Sequence, residues 1–524
     1  MKGRHALVFA LVCALLGLFL GQSYISRLPN HRGYFLVPVH DEIHTRVSRR
    51  PRHTAVILVD GLRRDSAETM KVTEQLAREG QCRVSDQGSW TVSRPVYSLL
   101  STGLEVDRSG SRNNEQTQRL DAESIWETAK AQGFTVSGSS HLPWFEELFP
   151  QGFTRFTTAE SHEDNVFEGE PLLDLNLFHP LYVDAAGHSR GGASPEYAAA
   201  VARADREIGA LLAKLDLTRD LVVLTADHGH RAAGGHGGSQ PEIRQVLLCF
   251  AGPHVAKRTD RKAFDGRNTA AALALLLDVP FPKHMRAVED DLDAIWEVAT
   301  FEAEDAAMVA ERRAAVQRFR DTNRTALEGW LGGAPGTWSR LEAREQKTQH
   351  VRALIVLGLA LFFLVARLGA ARRRDELIAR AAGAKLSLKA VRAAAFVTFA
   401  WIGAAAMLTW LVHRAILGEF DFTVINVKSR FVPRALGIVA IASASASFVH
   451  LKIVRSYERL AFDMLTLVGL LAIVNLGHIF VYGWPLGYPL PSAEARYFPF
   501  FGAIALLGYA VAAAVVVKLA QKRA

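Results

Sequence analysis

The last third of the chain contains five long apolar stretches, at 351–371, 393–412, 435–451, 464–484 and 498–517. Each stretch approaches the ~20 residues that an α-helix needs to cross a bilayer. Buried helices of a soluble domain are the alternative interpretation, but five such stretches in succession favour the membrane. We therefore predict a membrane domain over 351–524 with five transmembrane helices.

The N-terminus carries one more apolar run, at 6–21, directly after Lys2 and Arg4. No clean signal-peptidase site follows it, so we predict an uncleaved transmembrane anchor over 1–25. Lys and Arg are concentrated before this anchor, in alternate loops of the membrane domain and at the C-terminus. By the positive-inside rule, both termini of this multi-pass protein are cytoplasmic, and the region between 25 and 350 lies in a periplasm or equivalent lumen.

The net charge of +8 comes mostly from these loops. It fits a membrane topology, and no nucleic-acid partner is needed to explain it. Cys82 and Cys249 would share an oxidising compartment, so a disulfide between them is possible. Against that pairing, Cys249 lies in the apolar run "QVLLCFAG", which is typical of a buried strand.

Between 50 and 290 the chain alternates strand patterns with helical ones. "TAVILVD" at 54–60 and "DLVVLTADHG" at 220–229 are apolar runs that lead into an acidic residue and glycine. The stretches 66–80 and 195–216 have helical spacing. Continuous apolar strands alternating with helices predict an α/β fold, with a mostly parallel sheet covered by helices on both faces. The charged segment 291–350 is predicted to be a helical connector to the membrane.

Four short segments of the α/β region carry side chains that bind metals, and ligands of such sheets gather at the carboxyl ends of strands. The residues are Asp60 in "VDG", Ser93 in "SRP", Asp184 and His188 in "DAAGH", and Asp227, His228 and His236 in "DHGHRAAGGHGG". Three aspartates, three histidines and one hydroxyl suit two divalent metal ions with mixed nitrogen and oxygen ligands, zinc being the expected metal. His230, in the last segment, is assigned no role beyond that of a polar loop residue.

These segments resemble the alkaline phosphatase superfamily. The likeness is greatest to its type I phosphodiesterase/nucleotide pyrophosphatase branch and to the glycosylphosphatidylinositol (GPI) ethanolamine-phosphate transferases, and it covers residues 50–290. It implies an alkaline-phosphatase-like catalytic domain in which Ser93 is the nucleophile and Asn114, 21 residues later, binds phosphate with the backbone amides of Ser93 and Arg94. It also implies two sets of metal ligands: Asp184, His188 and His236 for one ion, and Asp60, Ser93, Asp227 and His228 for the other.

The segments also depart from the family pattern. Serine stands where threonine is commoner, and Val96-Tyr97 replaces a polar pair, which leaves substrate specificity open. Tyr97 also excludes a sulfatase, which would need arginine at this position. The short gap from His228 to His236 is typical of the ethanolamine-phosphate transferases. Substrate charge could be bound by three further candidates, which are Arg63, Arg64 and Arg190.

The resemblance and the membrane architecture together predict a membrane phosphotransferase. It would move a phosphoethanolamine-like group from a phospholipid donor to a glycan or lipid acceptor through a phospho-serine intermediate. A membrane-anchored phosphodiesterase that uses water is the alternative. A degenerate domain with only a structural role is disfavoured, because all seven ligand positions hold competent residues.

Overall fold

The computed structural model describes most of residues 50–302 and scattered helical positions within 306–321 and 351–411. The gaps in the first range are at 89, 106–108, 112–113, 115–117, 170, 284 and 286–291. The predicted anchor at 1–25, nearly all positions of the five predicted spans and most of the connector lie outside the described residues. Among the residues that are described, no helix is both long and apolar enough to cross a membrane.

An eight-stranded sheet forms the centre of the described region, with the strand order β4-β3-β5-β1-β6-β7-β2-β8. The strands are β1 (Thr54–Leu58), β2 (Gly80–Asp86), β3 (Val136–Ser140), β4 (Arg155–Thr158), β5 (Leu175–His179), β6 (Leu221–Thr225), β7 (Gln245–Ala251) and β8 (Ala263–Asp265). Only β7 runs against its neighbours β6 and β2, and the other pairs are parallel. The predicted mostly parallel sheet is therefore confirmed.

The central strands are buried on both faces, as their continuous apolar runs predict. All five residues of β1 and all five of β6 are buried, and Val56 is the register partner of Val223. Successive side chains alternate between faces. Val56 and Leu58 accordingly pack into one core cluster, and Ala55 and Ile57 into the other.

Helices cover both faces of the sheet. They are α1 (Arg64–Ala67), α2 (Lys71–Glu79), α3 (Ser93–Thr102), α4 (Ile125–Ala131), α5 (Trp144–Leu148), α6 (Tyr182–Arg190), α7 (Pro195–Leu212), α8 (Pro241–Arg244), α9 (Thr269–Leu277) and α10 (Leu292–Trp296). Helices α3, α4, α5, α9 and α10 contribute to the first core cluster, whereas α1, α2, α6 and α7 contribute to the second. The predicted α/β architecture with helices on both faces is confirmed.

Two predicted helices have different ends in the structure. The helix expected over 66–80 is divided into α1 and α2, and Gly80 already begins β2. The backbone amides of Lys71 and Val72 donate to the Asp205 carboxylate, at 3.1 and 2.9 Å, so that a side chain of α7 caps the start of α2. Helix α7 begins at the predicted Pro195 but ends at Leu212, four residues before the predicted end.

Cys82 and Cys249 form a disulfide, with an S–S distance of 2.00 Å. They are direct register partners in the antiparallel pair of β2 and β7. Cys249 is buried in a strand, as predicted. Contrary to the prediction, burial of Cys249 in a strand does not disfavour the bond, because its partner Cys82 lies on the neighbouring strand of the same sheet.

Candidate metal centre

Asp60 and Asp227 lie at the same edge of the sheet because they follow adjacent parallel strands. Leu58 and Thr225 are register partners at the ends of β1 and β6, and each aspartate comes two residues later. Both carboxyl groups are fully buried. The backbone amide of Gly61 donates to Asp227 Oδ1 at 3.0 Å, which ties the two strand ends together.

Asp60, Asp227 and His228 form the first ligand cluster, in which one ligand atom from each residue lies within 4.8 Å of the others. Within the described part of the chain, neither Asp60 Oδ1 nor Asp227 Oδ2 has a hydrogen-bond partner. Burial and the neighbouring Asp60 carboxylate raise the pKa of Asp227 well above its usual value. Two unsatisfied buried carboxylate oxygens are costly unless a cation neutralises them, so this cluster fits a divalent metal ion.

Ser93 is the first residue of α3 and lies beside this cluster, with its Oγ 3.4 Å from His228 Nε2. The hydroxyl is almost completely buried, with the residue 3% exposed. The N-terminus of a helix offers unpaired amide groups and a positive dipole end, which suit a phosphoryl group. The structure thus places the predicted nucleophile where a phosphate ester could be held.

Asn114 lies at the same helix N-terminus. Its Oδ1 accepts a hydrogen bond from the backbone amide of Arg94 at 3.0 Å. The expectation that this amide is available to a phosphate oxygen was therefore wrong, since Asn114 already uses it. The predicted role of Asn114 in phosphate binding stays a prediction.

Asp184, His188 and His236 form the second ligand cluster. Asp184 and His188 are four residues apart on α6, with Oδ2 and Nε2 separated by 3.4 Å. The Nε2 atoms of His188 and His236 lie 2.9 Å apart. Because His236 Nδ1 lies 2.8 Å from the Thr91 carbonyl oxygen and is its donor, the Nε2 lone pair of His236 is left for a metal.

Electrostatics favour the ligating form of this second cluster. Burial lowers the pKa of His236 well below its usual value, so its imidazole is neutral at physiological pH. Burial alone would raise the pKa of Asp184, but the surrounding imidazoles hold that pKa well below its usual value. A charged carboxylate beside the neutral imidazole of His236 is a donor set that zinc accepts.

The two clusters adjoin each other. The rings of His228 and His236 are stacked with centroids 3.7 Å apart, and both can share a metal position with Asp184. All seven predicted ligand residues therefore come together at one edge of the sheet. Their assignment to two separate ions stays a prediction.

His230 has closer contacts than the sequence suggested. Its ring is fully buried, and its Nε2 lies 2.8 Å from Asp184 Oδ1. Asp184, His188 and His230 form a further group that could hold a metal. The prediction of an ordinary loop residue was wrong, because the segment after β6 turns back over α6 and buries the ring against Gly187.

The three candidate arginines have acidic partners in the structure. The Arg63 guanidinium pairs with Asp65 at 2.5 Å and also donates to the carbonyl oxygen of His230, so its hydrogen-bonding groups are engaged within the protein. Arg64 lies 4.0 Å from Glu68, and Arg190 lies 3.8 Å from Glu196. The last two pairs are well exposed, so these arginines remain accessible, and their role in substrate binding stays a prediction.

Comparison with known proteins finds a family match over the region that contains the site. Residues 54–237 match the family model described as type I phosphodiesterase / nucleotide pyrophosphatase. The predicted resemblance to this family is confirmed over that range.

The individual relatives found include GPI ethanolamine phosphate transferases. The catalytic subunit of human GPI ethanolamine phosphate transferase 2 is 25% identical over 261 residues, which cover 44% of this chain and 26% of that protein. The catalytic subunit of mouse GPI ethanolamine phosphate transferase 3 is 32% identical over 231 residues, which cover 40% and 21% of the two chains. The match thus spans about a quarter of the length of these relatives.

Among solved structures, murine ectonucleotide pyrophosphatase/phosphodiesterase 5 aligns with 48% of this chain and all of its own. The TM-score is 0.39 and the sequence identity 14%. The alkaline phosphatase PafA aligns with 49% of this chain and all of its own, at a TM-score of 0.39 and 12% identity. These values are too low to carry any conclusion about function.

Proposed function

We propose that this chain is a metal-dependent membrane phosphotransferase that moves a phosphoethanolamine-like group from a phospholipid to a glycan or lipid hydroxyl. The observation that carries the proposal is the position of Ser93. Its Oγ lies 3.4 Å from His228 Nε2, at the N-terminus of α3 and beside the unsatisfied carboxylate oxygens of Asp60 and Asp227. The sequence similarity to ethanolamine phosphate transferases supports this choice of transferred group.

Two divalent ions, zinc being the expected metal, fit the two ligand clusters. Asp60, Ser93, Asp227 and His228 would hold one ion, and Asp184, His188 and His236 the other. When bound, such ions stabilise the charge of a transferring phosphoryl group and lower the pKa of a ligating hydroxyl.

The residues of the chain itself account for the covalent chemistry. Ser93 Oγ attacks the phosphorus of the donor and gives up its proton as the new P–O bond forms. The bond to the diacylglycerol oxygen breaks, and that oxygen takes up a proton as it leaves. The backbone amide of Ser93 and the positive dipole end of α3 would stabilise the phosphoryl oxygens. The acceptor hydroxyl then attacks the phospho-serine, loses its proton and regenerates Ser93.

The proposal places the catalytic domain on the periplasmic or luminal side of the membrane, with both termini cytoplasmic. The disulfide between Cys82 and Cys249 supports this side, because such bonds persist in oxidising compartments and are rare in the cytosol. The apolar stretches in 351–524 would bring the domain to its lipid donor. A lipid substrate explains why the chain carries more apolar segments than an anchor requires.

Hydrolysis by the same site is the second candidate function. It is favoured by the match of residues 54–237 to a family model named for phosphodiesterases. In that case water attacks the phospho-serine in place of an acceptor hydroxyl, and free phosphoethanolamine is released. Every earlier step would be the same.

The two candidates are separated by following radiolabelled phosphatidylethanolamine with the full-length chain in detergent. Label transferred to a lipid or glycan acceptor supports the transferase, and label released as free phosphoethanolamine supports the hydrolase. Ser93→Ala should abolish both products. Ser98→Ala is the matched control, because Ser98 lies in the same helix and its hydroxyl only donates to the carbonyl oxygen of Arg94. If Ser93→Ala retained the wild-type rate, the proposal would be wrong.

A further inference from the structure

A chain of buried polar side chains leads from Asp60 into the interior of the domain. It consists of Tyr97 on α3, His179 at the end of β5 and Ser140 at the end of β3, and all three residues are fully buried. Tyr97 Oη donates to Asp60 Oδ2 and lies 2.9 Å from His179 Nε2. His179 Nε2 is also 3.2 Å from Asp60 Oδ2.

The direction of each hydrogen bond follows from the donors available. The backbone amide of Leu142 donates to Ser140 Oγ at 3.1 Å. Tyr97 Oη gives its single proton to Asp60, so its 2.9 Å contact with His179 Nε2 needs a proton on that nitrogen, and the Ser140 hydroxyl then donates to Nδ1 at 2.8 Å. The ring proton on His179 Nε2 faces Tyr97 Oη and Asp60 Oδ2.

The two carboxylate oxygens of Asp60 therefore differ in their hydrogen-bond partners. Oδ2 accepts from the tyrosine hydroxyl and faces the imidazole N–H of His179, whereas Oδ1 has no partner among the described residues. Oδ1 is also the oxygen nearer to His228, with its Nε2 at 3.6 Å. The donors on Oδ2 hold the carboxylate in the orientation that turns Oδ1 towards the first ligand cluster.

Packing fixes the tyrosine hydroxyl in this position. The Tyr97 ring stacks on Phe145 with centroids 4.4 Å apart, and it meets the His179 ring edge-on at 5.0 Å. From this position the Tyr97 hydroxyl donates to Asp60 Oδ2. Tyr97 and Ser93 are four residues apart on α3 and so share one face of the helix.

We propose that Tyr97 and His179 are positioning residues that orient Asp60 for a divalent cation. The inference rests on the proposed function, because it requires Asp60 to be a metal ligand. A phenylalanine would fill the same space in the aromatic core as Tyr97. Packing therefore accounts for the aromatic ring at this position but not for its hydroxyl. Outer hydrogen-bond partners of this kind contribute about 10–100-fold to metal affinity.

Zn²⁺ affinity of the full-length chain in detergent, measured by chelator competition, tests the proposal. Tyr97→Phe should weaken the binding of one Zn²⁺ ion by about 10–100-fold and leave the second ion bound. Tyr182→Phe is the matched control. It also removes a largely buried tyrosine hydroxyl that donates to a carboxylate, but that carboxylate is Glu207, which is no candidate ligand. Zn²⁺ affinity of this control should equal that of wild type.

A second variant keeps the proposal testable if Tyr97→Phe does not fold. Ser140→Ala removes the donor to His179 Nδ1, and it should weaken the binding of the same ion with a smaller effect. Equal Zn²⁺ affinity in wild type and in the folded variants would overturn the positioning role alone. A wild-type chain that binds no Zn²⁺ would instead contradict the metal-dependent function on which it rests.

Discussion

Replacing Gly187 with alanine tests how closely the second ligand cluster is packed. Gly187 lies in α6 between Asp184 and His188, and it is buried. A Cβ atom at this position would lie 2.3 Å from His230 Cδ2 and 2.5 Å from its Nε2. No real contact is that short, so the imidazole of His230 must move. That movement breaks its 2.8 Å hydrogen bond to Asp184.

The expected loss of stability combines three effects. Alanine is favoured over glycine inside a helix by about 1 kcal/mol. Overpacking a buried site costs about 1–3 kcal/mol. Losing a hydrogen bond to a charged group costs about 1.5–3 kcal/mol. The net destabilisation is therefore about 1.5–5 kcal/mol, which lowers the unfolding temperature of a domain of this size by about 3–20 °C.

Gly209→Ala is the matched control, because it places the same substitution inside the neighbouring helix α7. There a Cβ atom would meet only Val72 Cγ1, at an ordinary 3.6 Å. Helix propensity then dominates, and the unfolding temperature should rise by about 2–4 °C. The two variants are thus expected to shift stability in opposite directions.

Thermal proteolysis of the full-length chain in detergent, read out by mass spectrometry of peptides from 182–212, measures both shifts. Chelator competition with Zn²⁺ should also show weaker binding for Gly187→Ala and no change for Gly209→Ala. If Gly187→Ala were as stable as wild type and bound Zn²⁺ equally well, His230 would not be packed against α6 as described.

Four further predictions concern the metal ions, the nucleophile and the membrane. Asp184→Ala combined with His236→Ala should remove one of two metal ions, as counted by elemental analysis, and abolish turnover; activity that persists in chelator would contradict this. Ser93→Ala should lower turnover by about 10⁴–10⁶-fold whereas Ser93→Thr keeps part of it, and an acid quench should leave phosphoethanolamine mass on the Ser93 peptide. Burial lowers the pKa of His228 to about 4. In metal-stripped protein, this buried neutral imidazole should therefore contribute about 3 kcal/mol to the free energy of unfolding above pH 6.5, and the contribution should be lost as the pH falls to 4. Denaturant titrations should show a free energy of unfolding that depends less on pH in His228→Gln than in wild type. The C-terminus is predicted to be cytoplasmic, so a reporter fused after Ala524 should be active if it is of the type that functions in the cytoplasm and inactive if it is of the type that functions only outside it.

The ligand residues could be predicted because their positions depend on local signals. Asp60 and Asp227 follow continuous apolar strands, and parallel strands bring such ends to one edge of the sheet. Asp184 and His188 have the four-residue spacing that places two side chains on one helix face. None of these inferences needed the relative positions of distant segments.

The missed features depend on contacts between distant segments. The break between α1 and α2 is capped by Asp205, which lies more than 130 residues away in sequence. The role of Tyr97 became visible only when α3 was placed next to the ends of β1 and β5. His230 had no distinguishing pattern, because its burial results from the close approach of Gly187.

The disulfide between β2 and β7 closes a covalent ring, since its two cysteines are 167 residues apart. Every candidate metal ligand except Asp60 lies inside this ring. Closing a loop of that length removes chain entropy from the unfolded state worth about 5 kcal/mol in the simplest model. The ring can close only after residue 249 has been synthesised and has reached an oxidising environment. During biogenesis the ligand segments therefore emerge first, and oxidation joins them into one ring afterwards.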